Sequence, residues 1–170
     1  MGDQVDRMTK NQVRQVVFVC TGNICRSPMA EYLLRTRLGP DTEWQVASAG
    51  VSAVDGLPPS RPAVLVMKEF GVNIAGHRSR LLTDSVVRPA DLLVAMTAAH
   101  HRDIVQQFPF SKANVYLLKT FLPGGPEGDV LDPIGLSDDV YRAVRDEIDV
   151  ALTGLIAFMH AVNRSTREGL

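Results

Sequence analysis

Cys20 and Arg26 bracket the five residues Thr21-Gly22-Asn23-Ile24-Cys25, and Ser27-Pro28 follows at once. The stretch before them, Val16-Val17-Phe18-Val19-Cys20, is β-branched and aromatic, the mark of a strand buried on both faces. Ser27-Pro28 reads as an N-cap with proline at the first helical position. The glycine-containing segment is therefore a loop running from a strand end into a helix start, where unpaired backbone N–H groups and the helix dipole favour an anion. A thiolate at Cys20 is stabilised by those N–H groups and by Arg26, the conditions that turn a cysteine into a nucleophile. The planar guanidinium of Arg26 offers a fork of donors that fits two oxygens of a phosphoryl group. Its charge also opposes the negative charge that develops during displacement at phosphorus.

Other chemistries fit this loop less well. A Walker loop needs Gly-Lys-Ser/Thr, and the segment has no lysine. A redox pair is normally Cys-x-x-Cys, and a structural zinc site needs four ligands, of which two are missing. A buried strand-end cysteine without function is the commonest fate of a lone cysteine. The arginine six residues on, at a helix start, argues against it here.

The elements that must hold the loop alternate along the chain. A helix through Met29, Ala30, Leu33, Leu34 and Leu38 stops at Gly39-Pro40, and a strand spans Trp44 to Ala49. A second helix follows Ser60 through Ala63, Met67 and Phe70 to Gly71. Another buried strand covers Asp91 to Met96, then a short helix from Ala98 to Gln107 and a strand from Val115 to Leu118. Lys119 to Ser137 is a long connection rich in Pro and Gly, of the kind that usually serves function. The last helix runs from about Ser137 to Val162, with Val140, Val144, Ile148, Leu152, Leu155 and Met159 on one stripe. Strand–helix alternation predicts an α/β sandwich around a parallel sheet with right-handed crossovers.

Composition narrows the class. The chain of 170 residues carries a net charge of −1, so no global field draws it to nucleic acid or to a membrane surface. Its longest apolar runs are too short to span a bilayer. Met1 to Lys10 lacks the apolar core of a secretory signal, and two cysteines make no disulfide framework, so the cytoplasm is the expected location. The expected organisation is a polar tail over 1–13, one domain over 14–163 and a second tail over 164–170, acting as a monomer.

The segment from Val19 to Glu31, Val-Cys-Thr-Gly-Asn-Ile-Cys-Arg-Ser-Pro-Met-Ala-Glu, resembles the phosphate-binding loop of the low-molecular-weight protein tyrosine phosphatases. The resemblance continues with Ser48-Ala49-Gly50, with Gly71, with His77 through Arg80 and with Asp132-Pro133, and covers about residues 15 to 160. It implies a three-layer α/β sandwich with a four-stranded parallel sheet, strand order 2-1-3-4, and helices on both faces. It also implies a two-step reaction on a phosphorylated protein or peptide, through a phosphocysteine, without metal or cofactor. By position, Cys20 is the nucleophile, Arg26 the phosphate clamp and Asp132 the general acid. Thr21, Gly22, Asn23, Ile24, Cys25 and Arg26 form the phosphate cradle, and Asn23, Ser27, Ser48 and His77 hold the loop.

These roles have physical reasons. Asn tolerates a left-handed backbone, so Asn23 suits a tight cradle. Ser27 can donate to the Cys20 thiolate, although a plain N-cap is the alternative. His77 alone reads as a surface histidine. Asp132 precedes Pro133, which favours an extended backbone there, while Asp129, Asp138 and Asp139 are neighbouring alternatives. Cys25 is either an apolar filler or the partner of Cys20 in a reversible disulfide. His100, His101 and His160 have no telling spacing and are expected in solvent.

On substrate, the chain departs from its resemblance. Tyrosine-specific members often carry two tyrosines after Asp-Pro; here Ile134 and Gly135 stand there, and Gly50 to Pro59 holds no aromatic residue. The text around Gly128 to Pro133 and Leu93 to Thr97 is similar to the bacterial protein arginine phosphatases, yet those usually have threonine at the position of Ile24. Arsenate reductases of this fold need further cysteines after Cys25, and a binding module without turnover would lack the nucleophile or the acid.

Overall fold

The computed structural model describes residues 13–125 and 127–168. The expected N-terminal tail therefore lies outside the described residues up to position 12. Four parallel strands, β1 (Arg14–Cys20), β2 (Trp44–Gly50), β3 (Leu92–Ala95) and β4 (Val115–Leu117), form one sheet in the order β2-β1-β3-β4. β1 lies at its centre. Val16 to Cys20 are all buried, as their composition requires, and alternate between two cores. Val16, Phe18 and Cys20 face the layer formed by α1 (Arg26–Leu38), α2 (Arg61–Glu69) and α5 (Asp138–Glu168). Val17 and Val19 face the layer with α3 (Asp84–Val87) and α4 (Ala98–Gln107). The expected three-layer sandwich and its strand order are thus present.

Strand order reverses at β1, because β2 lies on one side of it and β3 on the other. In open parallel sheets this is where ligands bind, beyond the carboxyl ends of the strands. The register pairs Cys20 with Gly50 and Val19 with Ala95, so the loops leaving β1, β2 and β3 emerge together.

β2 is an edge strand, and two arginines cover its outward carbonyls. Arg35 donates from Nε and Nη2 to the Val46 oxygen at 3.1 and 2.8 Å, and Arg80 Nε donates to the Ser48 oxygen at 3.0 Å. Capping an edge in this way removes a template for pairing with another chain. Among the described residues no helix is long and apolar enough to cross a membrane.

Four elements differ from the expected pattern. α3 and a 3-10 segment over Pro109–Asn114 are too short to show a helical period. α1 begins at Arg26 rather than after a Ser27 cap, and Pro28 is its third residue. That position is harmless, since the first four helical N–H groups have no intrahelical partner. α5 continues to Glu168, so residues 164–168 are helix rather than tail; the first helix breaker after Val162 is Gly169.

Gly154 of α5 lies against the chain at Phe121, whose ring packs at a tilt against those of Tyr116 and Phe158. A Cβ there would sit within 3.0 Å of the Phe121 carbonyl carbon and closer still to its oxygen. In an open helix Gly→Ala gains up to about 1 kcal/mol. Here the sign reverses: Gly154→Ala is expected to lose about 1–3 kcal/mol in denaturant unfolding, the usual cost of overpacking. An unchanged or raised midpoint would show that the two segments move apart freely.

Candidate active site

Between β1 and α1 the chain turns through Asn23, whose φ of 56° is the only positive value at a non-glycine residue among those described. This turn folds the loop back over Cys20, so that the Asn23 N–H donates to Cys20 Sγ at 3.3 Å. Ser27 Oγ lies 2.9 Å from the same sulfur. The end of β2 braces the loop from outside: the Val51 N–H donates to the Cys20 oxygen at 2.9 Å and the Ser52 N–H to the Thr21 oxygen at 3.0 Å. Gly50 makes that approach possible. A Cβ on it would come within 3.0 Å of the Asn23 nitrogen and nearer still to the Thr21 oxygen.

The side chain of Asn23 is buried and fully used. Its Nδ2 donates to Ser27 Oγ at 2.8 Å and to Ser48 Oγ at 2.9 Å, and its Oδ1 accepts from the Arg80 N–H at 3.0 Å. His77 Nε2 lies 2.8 Å from the Asn23 carbonyl oxygen. Asn23 donates to the Ser27 oxygen, which leaves the Ser27 hydrogen free to be given to a Cys20 thiolate, a group that can only accept. Ser48 passes its own hydrogen to Glu31 Oε2. Glu31 also pairs with Arg35 and lies 3.7 Å from His77 Nδ1. The structure thus brings Asn23, Ser27, Ser48 and His77 together, and adds Glu31, which sequence reasoning passed over. A carboxylate four residues after Ser27, on a helix face otherwise carrying Ala30 and Leu34, was the available signal.

Arg26 is buried, with its side chain only 5% exposed. Its Nη1 donates to the Val130 oxygen at 3.0 Å and its Nη2 lies 3.6 Å from Asp132 Oδ2. Asp132 itself is 48% exposed, and its Oδ1 accepts from the Ile134 N–H at 3.2 Å. Of the alternative carboxylates, Asp129 accepts from the Ala98 N–H at the start of α4. Asp138 and Asp139 open α5, and Asp139 pairs with Arg142. Only Asp132 borders, with Cys20, Gly22, Ile24 and Ile134, a cleft of about 190 Å³ over the loop. A larger cavity of about 950 Å³ lies behind the loop along the β2 edge, but no cysteine lines it.

Cys25 is buried, with Sγ 3.3 Å from both Ser60 Oγ and the Tyr141 hydroxyl. Burial pushes its thiol above the ordinary range and pushes Tyr141 up to about 12. Both cysteines are free thiols.

His100 corrects an expectation. It is 4% exposed rather than in solvent, and its Nε2 lies 2.7 Å from Thr21 Oγ1. Burial, and then the Arg26 charge, push it down to about 4, against the opposing pull of Asp103, Asp129 and Asp132. Lone histidines carry no spacing from which such a contact is legible. His101 is half-buried and His160 exposed.

The profile of the low molecular weight phosphotyrosine protein phosphatases matches residues 15–167. A protein-arginine-phosphatase from Geobacillus stearothermophilus is 43% identical over 141 residues, covering 83% of this chain and 93% of that protein. A probable low molecular weight protein-tyrosine-phosphatase, EpsP, from Ralstonia solanacearum is 42% identical over 106 residues, 62% of this chain and 71% of EpsP. The solved structure of the arginine phosphatase YwlE from Geobacillus stearothermophilus superposes with a TM-score of 0.80 at 39% identity, over 89% of this chain and 96% of that one. Fold and loop together define a phosphatase domain. The chain belongs to the low molecular weight phosphotyrosine protein phosphatase family.

The buried imidazole makes stability depend on pH. Folded, His100 takes its proton near pH 4; unfolded, near the ordinary 6.5. The unfolded chain therefore binds more protons between these values, and stability must fall as pH drops through that window. Thermal melts are expected to show this decline, and His100→Phe to lack that part of it. Equal slopes in the two proteins would mean that His100 titrates normally.

Proposed function

We propose that the chain hydrolyses phosphotyrosine in proteins or peptides through a phosphocysteine on Cys20. The observation that carries this reading is the Cys20 sulfur, hydrogen-bonded by Ser27 and the Asn23 N–H, in one cleft with Arg26 and Asp132. In the first step the thiolate attacks phosphorus, the P–O bond to the leaving phenol breaks, and protonated Asp132 gives that oxygen its proton. In the second, the Asp132 carboxylate takes a proton from water as the water oxygen attacks phosphorus. The S–P bond breaks, the thiolate returns and inorganic phosphate leaves. Arg26 holds two phosphoryl oxygens and opposes the transition-state charge. Its carbonyl anchor at Val130 fixes the fork before substrate arrives.

The walls of the cleft support a flat, uncharged leaving group. Ile24 and Ile134 face the space beside Asp132, and burying a ring between them gains apolar area. A phosphoarginine guanidinium brings N–H donors that isoleucine cannot accept, and an unpaired buried donor costs on the order of 1–3 kcal/mol. The similarity to named protein-arginine-phosphatases supports a second reading, in which Asp132 accepts from the guanidinium.

If Asp132 is the acid, Asp132→Ala loses roughly 10²–10⁴-fold in rate on poor leaving groups, and much less on activated aryl phosphates. A larger loss from Asp129→Ala would transfer the role to that residue. For substrate choice, the ratio of kcat/KM on phosphotyrosine and phosphoarginine peptides is expected to favour phosphotyrosine modestly. Ile24→Thr should shift it toward phosphoarginine by about tenfold, the equivalent of roughly 1.4 kcal/mol. A strong preference of the unmodified protein for phosphoarginine would favour the second reading.

A further inference from the structure

The geometry points to His100 as a positioning residue that fixes the Thr21 hydroxyl as an additional donor to the bound phosphoryl group. The inference rests on the phosphatase reading of the cleft, which counts Thr21 in the cradle by position but gives no task to its hydroxyl or to His100. Thr21 directly follows the nucleophile, is exposed and lines the cleft with Cys20 and Arg26. Its Oγ1 meets His100 Nε2 at 2.7 Å. His100 stands in the first turn of α4, whose start is held by Thr97 Oγ1 accepting from the His100 N–H at 3.1 Å and by Asp129 Oδ1 accepting from the Ala98 N–H at 2.8 Å. The ring therefore enters the site from a braced element.

Hydrogen-bond accounting then sets the direction of the contact. The other ring nitrogen, Nδ1, is fully buried and has no partner. A neutral imidazole has one N–H, and an orphaned buried N–H is rarer in proteins than an unsatisfied acceptor. The proton accordingly sits on Nε2 and is donated to Thr21 Oγ1. The ring stays neutral at ordinary pH, since burial and Arg26 disfavour a second proton. A hydroxyl has one hydrogen and can accept more than one. With His100 donating to it, the Thr21 hydroxyl has its own hydrogen left for the open side, which is the cleft. A phosphoryl group held there by Arg26 and the loop N–H groups is the acceptor at hand. The opposite tautomer would turn the Thr21 hydrogen toward the ring and leave no donor for substrate.

The test uses the whole protein labelled with 15N-histidine. Long-range 1H–15N spectra are expected to show His100 protonated at Nε2, whereas Nδ1 protonation would overturn the inference. Thr21→Val and His100→Phe should each weaken the binding of inorganic phosphate, titrated by calorimetry, by about tenfold, the size of one hydrogen bond to an anion. The double variant should lose no more than either single one, because both remove the same donor. His100→Gln, whose amide nitrogen replaces Nε2, should recover most of the affinity. Additive losses, or phosphate affinity unchanged in Thr21→Val, would overturn it. If His100→Phe does not fold, Thr21→Val compared with Thr21→Ser decides: only the valine variant should weaken. Phosphate affinity and tautomer are read without turnover. Failure of the unmodified protein to hydrolyse phosphotyrosine would therefore sink the proposed substrate and leave this test standing.

Discussion

The site depends on the backbone of Asn23 being held in the left-handed region. That conformation costs an L-residue of order 1 kcal/mol or more and persists only where the surroundings over-determine it. Here its amide nitrogen, amide oxygen and carbonyl oxygen all have partners, drawn from three different segments. Ser27 comes from α1, Ser48 from β2, and His77 and Arg80 from the loop that follows α2. Glu31 then ties Ser48, His77 and Arg35 together from behind. A buried polar network of this kind is favourable only when every member is satisfied, so each residue constrains the others. The Asn23 N–H is directed at the Cys20 sulfur with the loop already folded, and such preorganisation is what makes electrostatic stabilisation effective.

The remainder of the fold can be read as support for that constraint. A central β1, buried on both faces, delivers Cys20 to the reversal of strand order. Gly50 lets β2 approach closely enough to hydrogen-bond the loop through Val51 and Ser52. The Val130 N–H donates to the Met96 oxygen at 2.9 Å, so the long connection is pinned to the end of β3. Arg26 and Asp132 meet through this pin. In the proposed mechanism the work is divided: the half that would hold the phosphoryl group is buried, while the carboxylate half is exposed and reaches in from a loop. In that mechanism Asp132 gives a proton to the leaving group and takes one from water, and an exposed position suits both transfers.

Much of this was legible in the sequence because it is written locally. Continuous apolar runs mark the strands, and a cysteine-to-arginine loop between a strand and a helix marks an anion site. Ser48 and His77 became legible only through resemblance to a family, since nothing in their own neighbourhoods sets them apart. By local rules Ser27 reads as a helix cap, yet the tertiary network claims its hydroxyl and the helix begins two residues earlier than such a cap would place it. Glu31 and His100 were missed for the same reason. Each is a polar residue on a helix face whose partner is brought in by another element, and periodicity reads such positions as surface. The short α3 and the 3-10 segment escaped because a single turn has no period. The final helix outran its expected end because its stripe fades before any residue that would stop it.

The covalent intermediate on Cys20 is the central claim, and it can be caught directly. Protein mixed rapidly with para-nitrophenyl phosphate and quenched in acid during turnover should carry one phosphoryl group. Peptide mass spectrometry should locate it on the fragment bearing Cys20 and not on one bearing another residue. A phosphoryl group found elsewhere, or turnover with no phosphorylated protein at any quench time, would contradict the account.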